Sequence, residues 1–393
     1  EKGGLLHSLI QDKSGSNFLF WILENMCVVS VNIYVLISGY FLVDKRFKLS
    51  KAVDLWCRVF FYSVVVAAVM LFSGAVPPEH FTNLYQLQFY LLPILNGHYW
   101  FVTAYVLMYL FSPLLGRAVR CISKRELQTV IMVLLILMCF VKTIIPVPLA
   151  TDEFGNHYGW FLCLFLIAAY IRIYGIPFFK NGKVAFGVYI FSVLGSLLYH
   201  FMAAVLVEQT GKYEHLLKLP QHHNFIFVLT GALGLFYVFK HWNMKGNWFT
   251  RYLVKLAPYT LGVYLLHEHL LVRYLWIDWL KVSSEYGGFR ILHMILSVIL
   301  VMGIGILADY LRHWFFVFAQ KLIVIALRIY YAKREAWDYL IFGALATVVN
   351  WAVYLAFAYC FLKPIVIMPE TTRELVANLI AWVVAGLFAY WTN

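Results

Sequence analysis

Long apolar runs separated by short polar loops fill this chain from end to end. Crossing a bilayer core of about 30 Å takes about 20 apolar residues in helical form, because lipid leaves no other way to satisfy the backbone. Eleven runs of that kind are present: Phe18–Val43, Trp56–Val76, Gly97–Gly116, Leu127–Pro146, Tyr158–Tyr174, Val184–Val207, Asn224–Phe239, Tyr252–Ile277, Ile291–Asp309, Trp337–Phe361 and Leu375–Trp391. The pattern predicts an all-α, polytopic transmembrane helix bundle. Two further segments depart from the ladder. Phe81–Leu95 is apolar but short and holds Gln86, Gln88 and Pro93, so it reads as a re-entrant or interfacial helix. Trp314–Tyr330 carries Gln320, Lys321 and Arg328 and reads as an amphipathic helix lying on the cytoplasmic face. Residues 314–336 then form a linker between a nine-span body, residues 1–313, and a two-span tail, residues 337–393.

Composition strengthens this picture: 63% of the 393 residues are hydrophobic and 13% charged, which excludes a soluble multidomain protein. Basic residues alternate from loop to loop. The loops beginning at Asp44, Arg117, Arg172, Lys240 and Tyr310 hold 20 lysines and arginines, counting Lys255 in the first turn of the eighth run with the loop before it, against 8 in the amino-terminal stretch and the intervening loops. The positive-inside rule makes the first set cytoplasmic. The excess charge is spread over one face without a dense basic run, so anionic lipid and phosphorylated substrates are the expected counter-charges, and no nucleic-acid partner is expected. This topology starts the chain outside, and a further helix is expected upstream of Glu1. The six cysteines are scattered without a CxxC, and read as structural thiols. The thirteen histidines form neither HxxxH nor HExxH, so no metal site is expected.

Polar side chains in hydrocarbon cost a few kcal/mol unless paired, so they mark the bundle interior. In the first run Glu24 and Asn25, then Asn32, then Ser38 and Gly39 recur at spacings of seven and share a seam. Glu24 stands out as a carboxylate with no basic neighbour in its own helix. In the third run His98, Tyr105 and Ser112 repeat by seven, with Tyr109 on the same side and Trp100 at the outer rim. In the eighth, Thr260, Tyr264 and His267 fall on one helical face. Glu268 is expected to point elsewhere, and His269 to share a second face with Arg273. At the basic face Lys45, Arg46, Lys48, Lys51 and Arg58 gather where the first two runs end, and Arg58 lies just inside the second.

Four segments carry a resemblance. Val31–Val43 (VNIYVLISGYFLV), His98–Pro113 (HYWFVTAYVLMYLFSP), Trp160 and Phe161 through Tyr170 and Arg172, and Thr260–His267 (TLGVYLLH) together resemble the integral-membrane acyltransferase family 3 over about residues 18–313. The resemblance implies ten core spans, agreeing with nine here and one upstream. It also implies transfer of an acyl group, commonly acetyl from acetyl-CoA, to a hydroxyl of a cell-surface glycan or lipid-linked sugar. Acyl-CoA enters as co-substrate, with no bound cofactor, and the family's setting is the bacterial plasma membrane. The family's catalytic arginine and histidine, about ten residues apart on its first span, are expected upstream of Glu1. On the acyltransferase reading the polar groups singled out inside the spans, Glu24, His98, Tyr264 and His267, become the catalytic candidates of this chain. Asn32, Trp100 and Tyr105 would line the substrate cavity, and Arg58 with Lys51 or Arg46 would stand in for the paired arginines that hold CoA phosphate. The tail, Tyr339–Asn350 and Asn378–Asn393, is similar to the first two spans of a GtrA-like protein, through Gly343, Asn350, Asn378, Trp382, Tyr390 and Asn393. A polyprenyl-phosphate-sugar transporter is therefore the rival expectation.

Overall fold

A computed structural model describes residues 15–144, 153–242, 246–281, 289–361 and 369–392. It divides into two compact units, Glu1–Asp309 and Tyr310–Asn393. Among the described residues there is no strand, and nine helices are long and apolar enough to cross a membrane. The chain is thus an all-α, multi-pass membrane protein.

In the first unit the opening run is two helices, α1 (Gly15–Cys27) and α2 (Ser30–Leu42), followed by α3 (Leu49–Phe72). A short helix, α4 (Leu84–Leu91), leads to α5 (Trp100–Cys121). Then come α6 (Lys124–Leu135, prolonged by a π-turn to Ile144), α7 (Tyr158–Ile173), α8 (Gly182–Thr210) and α9 (Ile226–His241). Side-chain caps fix several starts. Ser123 and Glu126 form a reciprocal capping box at α6, while Asn83 and Asn181 accept from the first-turn amides of α4 and α8.

Helix α7 is the centre of this unit. Trp160, Phe161, Cys163, Leu164, Phe165, Ala168, Ala169 and Ile171 are buried around its whole circumference, against α2, α5 and α6. Its 16 residues span only about 24 Å, short of a bilayer core, which is tolerable for a helix that protein rather than lipid surrounds. Helix α2 meets it through Asn32, Val35, Leu36 and Gly39, and a Cβ on Gly39 would lie 2.9 Å from that of Ala168.

Helices α8 and α9 pack so closely that a Cβ on Gly234 would sit 2.8 Å from the Ala185 carbonyl oxygen and 2.9 Å from the Tyr189 nitrogen. Backbone cannot give way as a side chain can. Gly234→Ala is therefore expected to lower the thermal unfolding temperature in detergent by an amount corresponding to about 1–3 kcal/mol. Gly187→Ala, on the open face of α8 where nothing lies within 4 Å, should leave it unchanged.

Loops that share basic character meet at one end of this unit. Arg120 and Arg172 both bind Asp44, Lys240 lies over the Tyr40 ring, and the His241 ring bonds the Phe179 carbonyl. At the opposite end His223 N–H bonds the Phe154 carbonyl, Asn224 the Met138 carbonyl, and Leu270 N–H bonds His98. The alternation of loops along the sequence is thus the alternation of two ends in space.

Two elements differ from the sequence expectation. Tyr252–Ile277 is not one helix but α10 (Trp248–Leu256), α11 (Thr260–His267) and α12 (Leu275–Trp279), with an irregular stretch at residues 268–274. Residues 314–330 are not a separate interfacial helix: α13 runs from Arg290 to Ala332 without a break. Trp314, Phe315, Phe318, Ile323, Ile325 and Ile329 all lie exposed along it, so the apolar surface covers more than one face. The 81–95 segment contributes only the eight-residue α4, preceded by a 3₁₀ turn at Pro78–Phe81.

The second unit closes with α14 (Arg334–Leu355, followed by a π-turn to Phe361) and α15 (Glu370–Thr392), packed as a pair. Ala377, Ala381 and Ala385 are buried at intervals of four, allowing close approach of the two backbones.

Candidate active site

The break after α11 strands backbone groups inside the bundle, where each would cost free energy unless bonded. Side chains take up that role. Tyr99 Oη donates to the Leu265 carbonyl at 2.9 Å, Leu270 N–H donates to His98 Nε2 at 3.1 Å, and Leu271 N–H donates to His269 Nδ1 at 3.2 Å. The other nitrogens complete the net, His98 Nδ1 donating to the Phe89 carbonyl and His269 Nε2 to the Ser63 carbonyl, both at 3.1 Å. Amides only donate and carbonyls only accept, so these partners assign one neutral tautomer to each ring. His98 and His269 are 3% and 0% exposed. Both rings are fully spent on holding the unwound segment.

His98 was a catalytic candidate by sequence, and the geometry gives it a backbone-binding place instead. The signal for the break was weak. His267, Glu268, His269 and Arg273 crowd seven residues of an apolar run, and that crowding is the local trace of the break.

His267 is placed differently. Its Nδ1 donates to the Val263 carbonyl at 2.8 Å, which leaves the lone pair on Nε2, 3.6 Å from Glu268 Oε1. The two side chains are 38% and 32% exposed. An imidazole with a free Nε2 beside a carboxylate can take a proton and have the resulting cation stabilised. Glu268 reaches this position because α11 ends at His267, so the helical step that would have turned the carboxylate away no longer applies. The buried Tyr264 hydroxyl makes no well-aligned hydrogen bond and lies against the Phe101 backbone in the first turn of α5.

A ladder of rings connects this point to the other end of the bundle. Tyr264 lies 6.1 Å from His267 and 5.8 Å from Phe101, which stacks on Tyr105 at 6.1 Å. Tyr105 reaches the Ser38 hydroxyl and opens into a groove of about 510 Å³ between α2, α3 and α5. That volume suits an organic ligand. Lys45, Lys51 and Arg58 stand at the groove's basic end, with Arg58 Nε 3.2 Å from Asp54.

The remaining candidates fall elsewhere. Asn32 is fully buried, donating to the His223 carbonyl at 2.7 Å and accepting from Trp160 Nε1 at 3.0 Å. Trp100 stacks on the same His223 ring at 5.6 Å. These two form a brace beside the aromatic ladder and do not face the groove. Asn25, one residue from Glu24, is bound by Ser196 and His200, whereas Glu24 Oε2 is buried without a hydrogen bond. Among the described residues no hydrogen bond or ion pair joins Glu24 to His98, Tyr264 or His267. Arg46 does not line the groove with Arg58; it lines a separate cavity. Among the described residues no group of three potential ligands is placed to hold a metal ion.

No curated protein and no solved structure matches the chain. A family model described as an acyltransferase domain does, over residues 5–311, from α1 through the break at α11 and into α13. That match takes in most of the chain and every residue of the ladder and groove, and the chain belongs to the acyltransferase 3 family of multi-pass membrane acyltransferases.

Proposed function

We propose that this acyltransferase moves an acyl group, in its simplest form acetyl, from acyl-CoA to a hydroxyl of a cell-surface glycan or lipid-linked sugar at the bacterial plasma membrane. The observation that carries the reading is the ladder of rings from the Lys45–Arg58 groove through Tyr105, Phe101 and Tyr264 to His267, whose Nε2 is not bonded to backbone. With the basic end cytoplasmic, the donor enters the groove from inside and its thioester arm extends toward Tyr264. The acceptor comes to His267 from the other side.

His267 Nε2 takes the proton of the acceptor hydroxyl as its oxygen attacks the thioester carbon. Glu268 stabilises the imidazolium, and the Tyr264 hydroxyl donates to the oxygen on which negative charge develops. The new C–O bond forms, the C–S bond breaks, and the proton passes from His267 to the leaving thiolate.

The test is transfer of label from [acetyl-¹⁴C]acetyl-CoA to cell-envelope glycan by purified protein in membrane vesicles. Label on the glycan supports the reading. Hydrolysis without transfer, or labelling that ignores CoA concentration, would overturn it.

One observation favours a second activity in the tail. Asn350 and Asn378, which carry the GtrA-like resemblance, share a cavity of about 520 Å³ with Tyr354 and Glu374. Sugar-lipid translocation without CoA would favour that transporter reading.

A further inference from the structure

Arg273 has no part in the proton transfer described above. It stands in the irregular stretch after α11, at the end of the first unit opposite the basic loops, where Leu270 N–H bonds His98. An arginine within an apolar run is stable only with a partner, and where the chain supplies none it marks a place for a ligand. Arg273 makes no ion pair with any described residue; Glu268, the carboxylate of the same stretch, is turned to His267 at 3.6 Å. The guanidinium lies over the Tyr274 ring at 5.2 Å, and its Nε is buried without a hydrogen bond.

Two more donors around the break share this condition. Trp276 Nε1 and the Tyr264 hydroxyl are buried without a hydrogen bond as well. Arg273 N–H bonds the His269 carbonyl at 2.9 Å and Trp276 N–H the Val272 carbonyl at 3.3 Å, so one helical path carries into α12. Three residues apart on it, Arg273 and Trp276 share a side. Arg273 also acts electrostatically on Tyr264, His98 and His269, which sets it beside the end of the ladder. His98 and His269 have no nitrogen left for a ligand, since both rings are bound to backbone. A buried donor without an acceptor is costly, and a group rich in acceptor oxygens would satisfy the guanidinium and the indole together.

Charge and depth identify that group. Paired guanidinium N–H donors suit phosphate. The acyl donor enters from the basic end, so an anion that reaches Arg273 belongs to the acceptor. Tyr274 and Trp279, at the two ends of α12, are 47% and 55% exposed, an aromatic surface typical of the headgroup level of a bilayer. A phosphate that joins a sugar to a lipid chain lies at that level, whereas a carboxylate on a distant sugar of a glycan would lie out in water. We propose that Arg273, with Trp276 beside it, binds the phosphate of a lipid-linked sugar and so presents the hydroxyls of that sugar to His267. This rests on the acyl-transfer reading above. Tyr264 joins the two neighbourhoods, its ring 6.1 Å from that of His267.

Equilibrium binding of farnesyl phosphate and of farnesol to the full chain in phosphatidylcholine nanodiscs tests this. The wild type is expected to bind the phosphate more tightly than the alcohol. Arg273→Gln should bind farnesyl phosphate about 10- to 100-fold more weakly, the effect of losing charge-assisted hydrogen bonds, with farnesol binding unchanged. Arg273→Lys should recover part of the loss. Unchanged farnesyl phosphate binding by Arg273→Gln would overturn the site and leave the acyl-transfer reading standing. Equal loss for farnesol would do the same, reducing Arg273 to a structural residue. Displacement of farnesyl phosphate by equal concentrations of phosphatidylglycerol or of inorganic phosphate would give the site to bulk lipid or to free phosphate and overturn it too. A wild type that shows the preference but moves no acetyl group from acetyl-CoA to any lipid-linked sugar would overturn the acyl-transfer reading and leave phosphate binding by Arg273 in place.

Discussion

His267→Gln is expected to lower the rate of acyl transfer by about 10²- to 10⁴-fold, the range typical of losing a general base. Glutamine keeps a side-chain donor for the Val263 carbonyl, so the end of α11 should survive and the unfolding temperature should hold. The donor KM should change little, because Lys45, Lys51 and Arg58 at the groove are untouched. Glu268→Gln should fall between wild type and His267→Gln, since it removes the stabilising charge and leaves the base. Near-normal turnover by His267→Gln would show that the proton goes to another group. A rate loss matched by a lower unfolding temperature would reduce His267 to a helix-end residue.

His98→Leu should do the opposite: stability falls first and activity follows. Leucine fills the space but leaves the Phe89 carbonyl and the Leu270 N–H buried and unbonded. At about 1–3 kcal/mol for each stranded group, the cost is roughly 2–6 kcal/mol, enough to unfold the 268–274 stretch or the whole first unit. Thermal unfolding in detergent, with limited proteolysis between α11 and α12, measures both. His98→Gln, which keeps a donor and an acceptor, should recover part of the loss. An unaltered unfolding temperature for His98→Leu would mean that these hydrogen bonds do not hold the break.

Together the two substitutions separate histidines that look alike in sequence. His98, His267 and His269 all fall within apolar runs, and helical spacing nominates both His98 and His267. Their difference lies in what occupies the ring nitrogens, and the partners come from far along the chain. Leu270 reaches His98 across 172 positions, and Ser63 reaches His269 across 206. No local pattern encodes such a pairing. The same holds for Glu268, whose approach to His267 depends on a helix ending where periodicity predicts that it continues.

Arg46 and Arg58 give a parallel case at the other end. Both are basic and close in sequence, yet Arg58 stands on α3 and lines the groove while Arg46, on the loop before it, lines a separate cavity. Asn32 and Trp100 read as substrate-cavity residues, and each is instead tied to His223.

What the amino-acid order determined by itself was the membrane-spanning helical class, the alternation of basic and neutral loops, and the family. The first two follow from local hydrophobicity and charge, which act over one helix at a time and need no knowledge of neighbours; the family rests on the resemblance of the four segments and on the family model that matches residues 5–311. What only the tertiary structure decided was where the eighth span breaks, which of His98, His267 and His269 keeps a nitrogen not bonded to backbone, and how the basic residues divide between two cavities. Those depend on hydrogen bonds and charges brought together from separate helices, and in a bilayer interior without water a stranded backbone group must find its partner wherever the packing places one.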